Sequence, residues 1–169
     1  MALLPIIVAP DPRLNVKCKD VNQVTDEHRR LMDDMLETMY DAPGIGLAAP
    51  QVGVTQRIIV VDISDSKGDN SPYKMINPKI IWHSDQLVDY EEGCLSLPEQ
   101  YAQVTRPDEI HLRYVDPNGV VQNLKTSGVL ATCIQHEIDH LDGRLFVDHI
   151  SKLRRNLIIR KLKKYKAAL

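Results

Sequence analysis

No apolar run in this sequence approaches the roughly 20 residues needed to cross a bilayer. Leu3 to Ala9 is broken by Pro5, and Ile58 to Val61 is only four residues long. No basic segment precedes the first apolar stretch, so no signal peptide is expected. Cysteine is scarce. Cys18, Cys94 and Cys133 are odd in number and at no framework spacing, which excludes a disulfide scaffold and points to free thiols in a reducing compartment. Repeats, low-complexity stretches and inter-domain linkers are also missing. These absences leave a soluble, cytoplasmic chain of 169 residues, expected to form one domain over residues 1–169 with a core of its own.

Net charge is small and uneven in place. The net charge is −2, yet residues 152–169 hold eight Lys/Arg and no acid, leaving 13 basic and 23 acidic residues elsewhere. Such asymmetry marks a basic contact tail on an acidic body.

Pro5, Pro10 and Pro12 keep the first stretch extended or turning. Residues 25–42 read as an amphipathic helix: Leu31, Met32, Met35, Leu36, Met39 and Tyr40 share one stripe, and Pro43-Gly44 stops it. Arg57 to Ile63 is a β-branched run expected as a buried strand, with a polar loop near Lys67 to Pro72. Met75 to Trp82 and Gln86 to Tyr90 are further strands. Ile110 to Val115 and Val120 to Leu124 flank Asp116-Pro117-Asn118-Gly119, which has hairpin turn chemistry. Val129 to Leu141 is a second helix, capped by Ser127 or Thr126 and ended by Gly143. Leu153, Leu157, Ile158 and Leu162 place a third helix in the basic tail. The expectation is α+β: mostly antiparallel strands around the second helix, with a helix toward either end.

That second helix carries His136-Glu137-Ile138-Asp139-His140, an HExxH pattern. A helix turns once per about 3.6 residues, so His136 and His140 lie one above the other. Two imidazoles so placed can ligate one ion, and Glu137 can reach a metal-bound water as general base. A catalytic metal needs a third ligand. No glutamate follows Glu137, and the position at which a third histidine completes another protease pattern is Phe146. His149 is out of that register, while Asp142 and Asp148 are weak alternatives. Upstream, Cys94 stands in Glu91-Glu92-Gly93-Cys94-Leu95-Ser96, where Gly93 allows an unusual backbone angle. A thiolate with two imidazoles suits zinc or ferrous iron and leaves a position open for water. Cys133, one turn before His136, is a competing ligand or a pocket wall.

Gly44-Ile45-Gly46-Leu47-Ala48-Ala49-Pro50-Gln51 contains GxGxxA, but a helix precedes it and Pro50 interrupts it, so a dinucleotide fold is excluded. Its glycines suggest close approach to a ligand or a strand. Gln51 is either a loop residue bonded to backbone or an amide donor to a developing oxyanion.

Taken together, Gly44 to Gln51, Glu92 to Ser96 and Gln135 to His140 resemble the three signature motifs of the peptide deformylase family, in order. Pro10-Asp11-Pro12-Arg13-Leu14, the first helix and the spacing between motifs extend the likeness over the whole chain, which looks like the compact bacterial class. The resemblance implies hydrolysis of the N-formyl group from the formyl-methionine of nascent polypeptides, with release of formate. It assigns Cys94, His136 and His140 as metal ligands, Glu137 as base, and the Gln51 side chain with the Leu95 backbone N–H as oxyanion donors. Fe²⁺ is the ion it implies, with Zn²⁺, Ni²⁺ or Co²⁺ able to occupy the same site. Gly44, Ile45, Gly46, Glu92, Gly93, Val129 and Cys133 would form the substrate site, Gly46 pairing with the peptide like an added strand. Many members carry arginine at the position of Tyr101; Arg106 is a nearby substitute. The basic helix is either a solvated helix packed on the body or a docking element for ribosomal RNA. A monomer with no membrane partner is expected. An HExxH metallopeptidase cutting internal bonds is the rival reading, and a structural metal protein gives Glu137 no task.

Overall fold

In a computed structural model, which describes residues 2–64 and 70–169, the strands form two antiparallel sheets that share one helix. The first sheet runs in the order β1 (Gly46–Ala48), β2 (Ile58–Val61), β3 (Tyr73–His83), β6 (Glu109–Val115), β7 (Val121–Ser127). The second is the hairpin of β4 (Leu87–Cys94) and β5 (Leu97–Pro107). Three helices complete the fold: α1 (Asp26–Asp41), α2 (Gly128–Leu141) and α3 (Lys152–Ala167). The α+β expectation with antiparallel pairing around the HExxH helix holds.

The short run Ile58 to Val61 is fully buried because both faces of β2 are covered. Side chains alternate across a strand, so Ile58 and Val60 meet Met32, Met35 and Met39 of α1, while Ile59 and Val61 meet Ile134, Ile138 and Leu141 of α2. A third cluster joins the hairpin to the C-terminal helix: Leu97, Ala102 and Val104 of β5 pack with Leu14, Phe146, Ile158 and Leu162. Helix α2 is therefore covered on almost every side, and its residues 131–138 are all buried.

Several local expectations are corrected. β5 and β1 are strands that the apolar pattern did not show. β5 buries only one face, and its inward positions are Ala102, Val104 and Arg106, too small or too polar to read as a hydrophobic stripe. Of the tail's apolar residues, Ile158 and Leu162 are buried, whereas Leu153 and Leu157 face solvent at 72% and 45% exposure. Ser127 occupies the N-cap of α2 without a side-chain capping bond. The loop anticipated near Lys67 to Pro72 lies partly outside the described residues.

Gly143 ends α2 as expected, with φ at +76° and its N–H bonded to His140 O at 3.1 Å. A Cβ there would also stand 2.7 Å from the Asn15 backbone carbonyl. Gly143→Ala combines left-handed strain with backbone overlap, and we expect it to lower unfolding free energy by about 2–4 kcal/mol, read from urea midpoints.

Candidate metal and substrate site

The site lies where the two sheets converge on α2. Cys94 ends β4, just past an irregularity in the β4–β5 register. His136 and His140 project from α2, and Gln51 sits on the short 3₁₀ turn Ala49–Val52 that follows β1. One ligand atom from each of Cys94, His136 and His140 lies within 4.8 Å of the other two, and Cys94 Sγ is 3.3 Å from His140 Nε2. Cys133 stands apart as cavity wall, its thiol directed to Ile45 O at 3.6 Å.

Each imidazole is presented differently. His136 Nδ1–H donates to Glu92 Oε1 at 2.9 Å, which orients the ring and turns Nε2 toward the cluster. Phe146, at the position where a third histidine was considered, stacks on the His136 ring with centroids 6.1 Å apart. His140 is buried, and its Nδ1 has no partner among the described residues. Asp142 and Asp148, the weak alternatives, are engaged with Arg57 at 3.0 Å and Arg155 at 2.8 Å. The usual protease completions are thus absent in space as well as in sequence.

The carboxylates make the site attractive to a cation. Burial works against charge on His136, but Glu137, Cys94 and Glu92 together raise its proton affinity well above the ordinary value. Burial, with the neighbouring His136, pushes His140 well below it. For Glu137 burial dominates: its pKa is pushed up to about 7, against the opposing pull of His136. Glu137 Oε1 has no partner among the described residues, so it is free to accept a proton. A cysteine and two imidazoles in this acidic, enclosed setting fit a divalent ion of the zinc or ferrous type.

Gln51 is held by both ends of its amide. Oε1 accepts from Ala48 N at 2.9 Å, while Nε2 donates to Ser96 Oγ at 3.0 Å and points to Cys94 Sγ at 3.5 Å. The backbone-bonded reading of this residue is met, and its amide N–H₂ also reaches the cluster at Cys94 Sγ.

A cavity of ≈ 380 Å³ opens beside the cluster. All seven expected substrate residues, Gly44, Ile45, Gly46, Glu92, Gly93, Val129 and Cys133, line it, together with Leu95, Gln51 and Glu137. A Cβ on Gly46 would collide with the Glu137 carboxylate and lie 2.9 Å from Cys133 Sγ, so the close approach requires glycine. Gly93 corrects the expectation of an unusual backbone angle: it has no positive φ, and Tyr101, opposite it on β5, fills the space where its Cβ would go. Tyr101 stands 64% exposed at the mouth. Arg106 does not replace it there, because its guanidinium is buried among Glu92 and Asp139 at 2.7–3.0 Å.

Sequence reasoning missed Tyr90, Glu91 and Thr132 in the cavity wall, and Ser96 as the partner of Gln51. It also missed the group behind His136 formed by Arg106, Asp139 and His149. An arginine at an inward position of a one-sided strand was the available signal.

The sequence profile described as polypeptide deformylase matches residues 3–156. The peptide deformylase of Methylocella silvestris is 52% identical over 167 residues, covering 97% of this chain and 85% of its own. That of Pelagibacter ubique is 53% identical over 167 residues, covering 99% and 97%. The crystal structure of peptide deformylase from Ehrlichia chaffeensis in complex with actinonin superposes with a TM-score of 0.93 at 43% identity, covering 98% of each chain. The chain belongs to the peptide deformylase family.

Proposed function

We propose that residues 1–169 act as one catalytic domain that hydrolyses the formyl amide of formyl-methionyl peptides, releasing formate. The observation that carries this reading is the Cys94, His136, His140 cluster with a buried Glu137, whose Oε1 has no partner among the described residues, beside a cavity of ≈ 380 Å³.

Cys94 Sγ, His136 Nε2 and His140 Nε2 would hold the metal, Fe²⁺ by the family resemblance, with Zn²⁺, Ni²⁺ or Co²⁺ compatible with the same donors. When bound, such an ion acts as a Lewis acid and lowers the pKa of its water toward neutrality. Glu137, poised near 7, takes a proton from the attacking water and returns it to the departing amine. Gln51 Nε2 and the Leu95 backbone N–H face the formyl oxygen as negative charge develops on it. Ile45, Val129 and Cys133 offer an apolar wall for an unbranched, polarisable methionine side chain. The substrate backbone has a place to pair: β1 bonds to β2 along one edge only, and its other edge is open to an added strand.

We assign the protein to the cytoplasm as a monomer, the compartment resting on its free thiols Cys18, Cys94 and Cys133. We assign the basic helix α3 to ribosomal RNA. Its buried Ile158 and Leu162 anchor it to the body, while Lys152, Arg154, Arg160, Lys161, Lys163 and Lys164 are exposed. Truncation would uncover the core, so neutralising substitutions are the proper probe.

Formate release from a formyl-Met peptide tests the chemistry. Glu137→Gln should lower kcat by about 10²–10⁴-fold, and Gln51→Ala by about 10²–10³-fold. Unchanged turnover in Glu137→Gln would remove the mechanism. Exhaustive chelation should abolish release and Fe²⁺ should restore it; activity that survives metal removal would exclude the proposed site. For the helix, Lys161→Gln, Lys163→Gln and Lys164→Gln combined should reduce the log–log salt slope of ribosome binding by about 2–3, and an unaltered slope would sink the docking assignment.

A further inference from the structure

We propose that Asp139 and His149 are positioning residues for this reaction: with Arg106 they form the outer part of a chain that fixes Glu92, and through Glu92 the imidazole of His136. The inference rests on the assignment of His136 as a ligand.

The chain is continuous. His149 Nε2–H donates to Asp139 Oδ2 at 2.7 Å, and Arg106 Nη1 donates to the same oxygen at 2.8 Å. Arg106 then grips Glu92 with Nε at 2.7 Å and Nη2 at 3.0 Å, and Glu92 Oε1 accepts from His136 Nδ1 at 2.9 Å. Side-chain exposure falls along it, from 23% at His149 through 16% at Asp139 to 5–6% at Arg106 and Glu92.

Two features separate this arrangement from ordinary packing. First, it closes a ring. His136 and Asp139 are three residues apart on α2 and so lie on neighbouring positions of one face. Hydrogen bonds leave the helix at His136, cross β4 at Glu92 and β5 at Arg106, and return to the helix at Asp139. The hairpin that carries Cys94 is thereby locked in register with the helix that carries the two histidines. Second, the ring has one adjustable corner. Glu92 is gripped by two bonds from Arg106, but Asp139 meets Arg106 through Oδ2 alone, and that oxygen is oriented by His149 from the turn after α2. Without the second donor Asp139 can rotate, the Arg106 fork loses its outer acceptor, and Glu92 is no longer held at a single angle to Nδ1. Partners of this kind, one step removed from a metal, commonly change affinity about 10–100-fold.

The test uses full-length protein carrying Asp139→Asn, His149→Leu or His149→Gln. Metal affinity is read by competition with a chromophoric chelator, kcat and KM on a formyl-Met peptide, and melting of the metal-free form. Asp139→Asn should weaken metal binding about tenfold and lower kcat with KM within about twofold, since the cavity wall is untouched. His149→Leu should weaken binding about three- to tenfold, and His149→Gln, which keeps an N–H donor, should return it to within about twofold of wild type. Loss of melting temperature with wild-type metal affinity and kcat would reduce the chain to packing and overturn the proposal. Equal impairment by Leu and Gln at 149 would do the same. If Asp139→Asn fails to fold, the partly exposed His149 pair decides alone. The chelator competition needs no formyl substrate. Weakened metal binding in variants of a protein that releases no formate would therefore uphold this inference while removing the proposed reaction.

Discussion

A carboxylate, Glu92, sits beside His136 with only 6% of its surface exposed, and the arrangement of both sheets follows from the need to hold it there. Removing a charge from water costs several kcal/mol unless partners replace the lost hydration. Arg106 supplies two bonds and opposite charge, and His136 supplies an N–H. Burial alone would raise the Glu92 pKa, yet these contacts hold it below the ordinary value, so it stays an acceptor for the His136 Nδ1–H and turns Nε2 toward the cluster. Arg106 is itself buried, and it needs β5 to run the full length of β4, where Arg106 pairs opposite Val88. The long hairpin is the structural consequence of one oriented imidazole.

The same dependence explains why neither sheet could form the site alone. β1 and the turn after it bring Gly46 and Gln51, the hairpin brings Cys94 and Leu95, and α2 brings the histidines and Glu137. Helix α2 buries residues of both faces, Ile134 and Ile138 against the larger sheet and His136 and His140 toward the hairpin. Its position is set by two cores at once, which gives the ligand atoms a rigid origin. Gln51 spans the remaining gap, bonded to Ala48 on the first sheet and to Ser96 at the tip of the hairpin.

Much of this was legible in residues whose chemistry is local. The HExxH spacing, the β-branched run of β2, the Asp116 to Gly119 turn and the amphipathic α1 each depend on neighbours within a few positions, so periodicity and turn chemistry suffice. Cys94 and Gln51 were candidates by their own chemistry; the motifs that resemble the family assigned their roles and added the cavity wall. What stayed hidden depends on distant partners. β5 lacks an apolar stripe because its inward face ends on Arg106, and an arginine reads as solvent-facing until its acids are found. Asp139 fills a variable position of HExxH, and His149 is out of register for a third ligand. Their meaning lies in a ring that joins α2 to both strands of the hairpin, and no local window contains it. Gly93 was misread for a related reason: its small size answers to Tyr101 across the ladder, rather than to its own backbone angle.

Two buried glutamates within one site are driven in opposite directions, and this division makes the proposed chemistry workable. Glu92 has every oxygen engaged and is held ionised. Glu137, the next residue after His136, has an oxygen without a partner among the described residues and a pKa pushed up to about 7 by burial. A pair of titratable groups separated in this way identifies which one moves protons and which one only orients. Gly46 keeps the space beside the Glu137 carboxylate open, since a Cβ there would collide with Oε2. In the proposed chemistry the glycine is thus a companion of the glutamate, because it leaves room for the carboxylate beside the cavity.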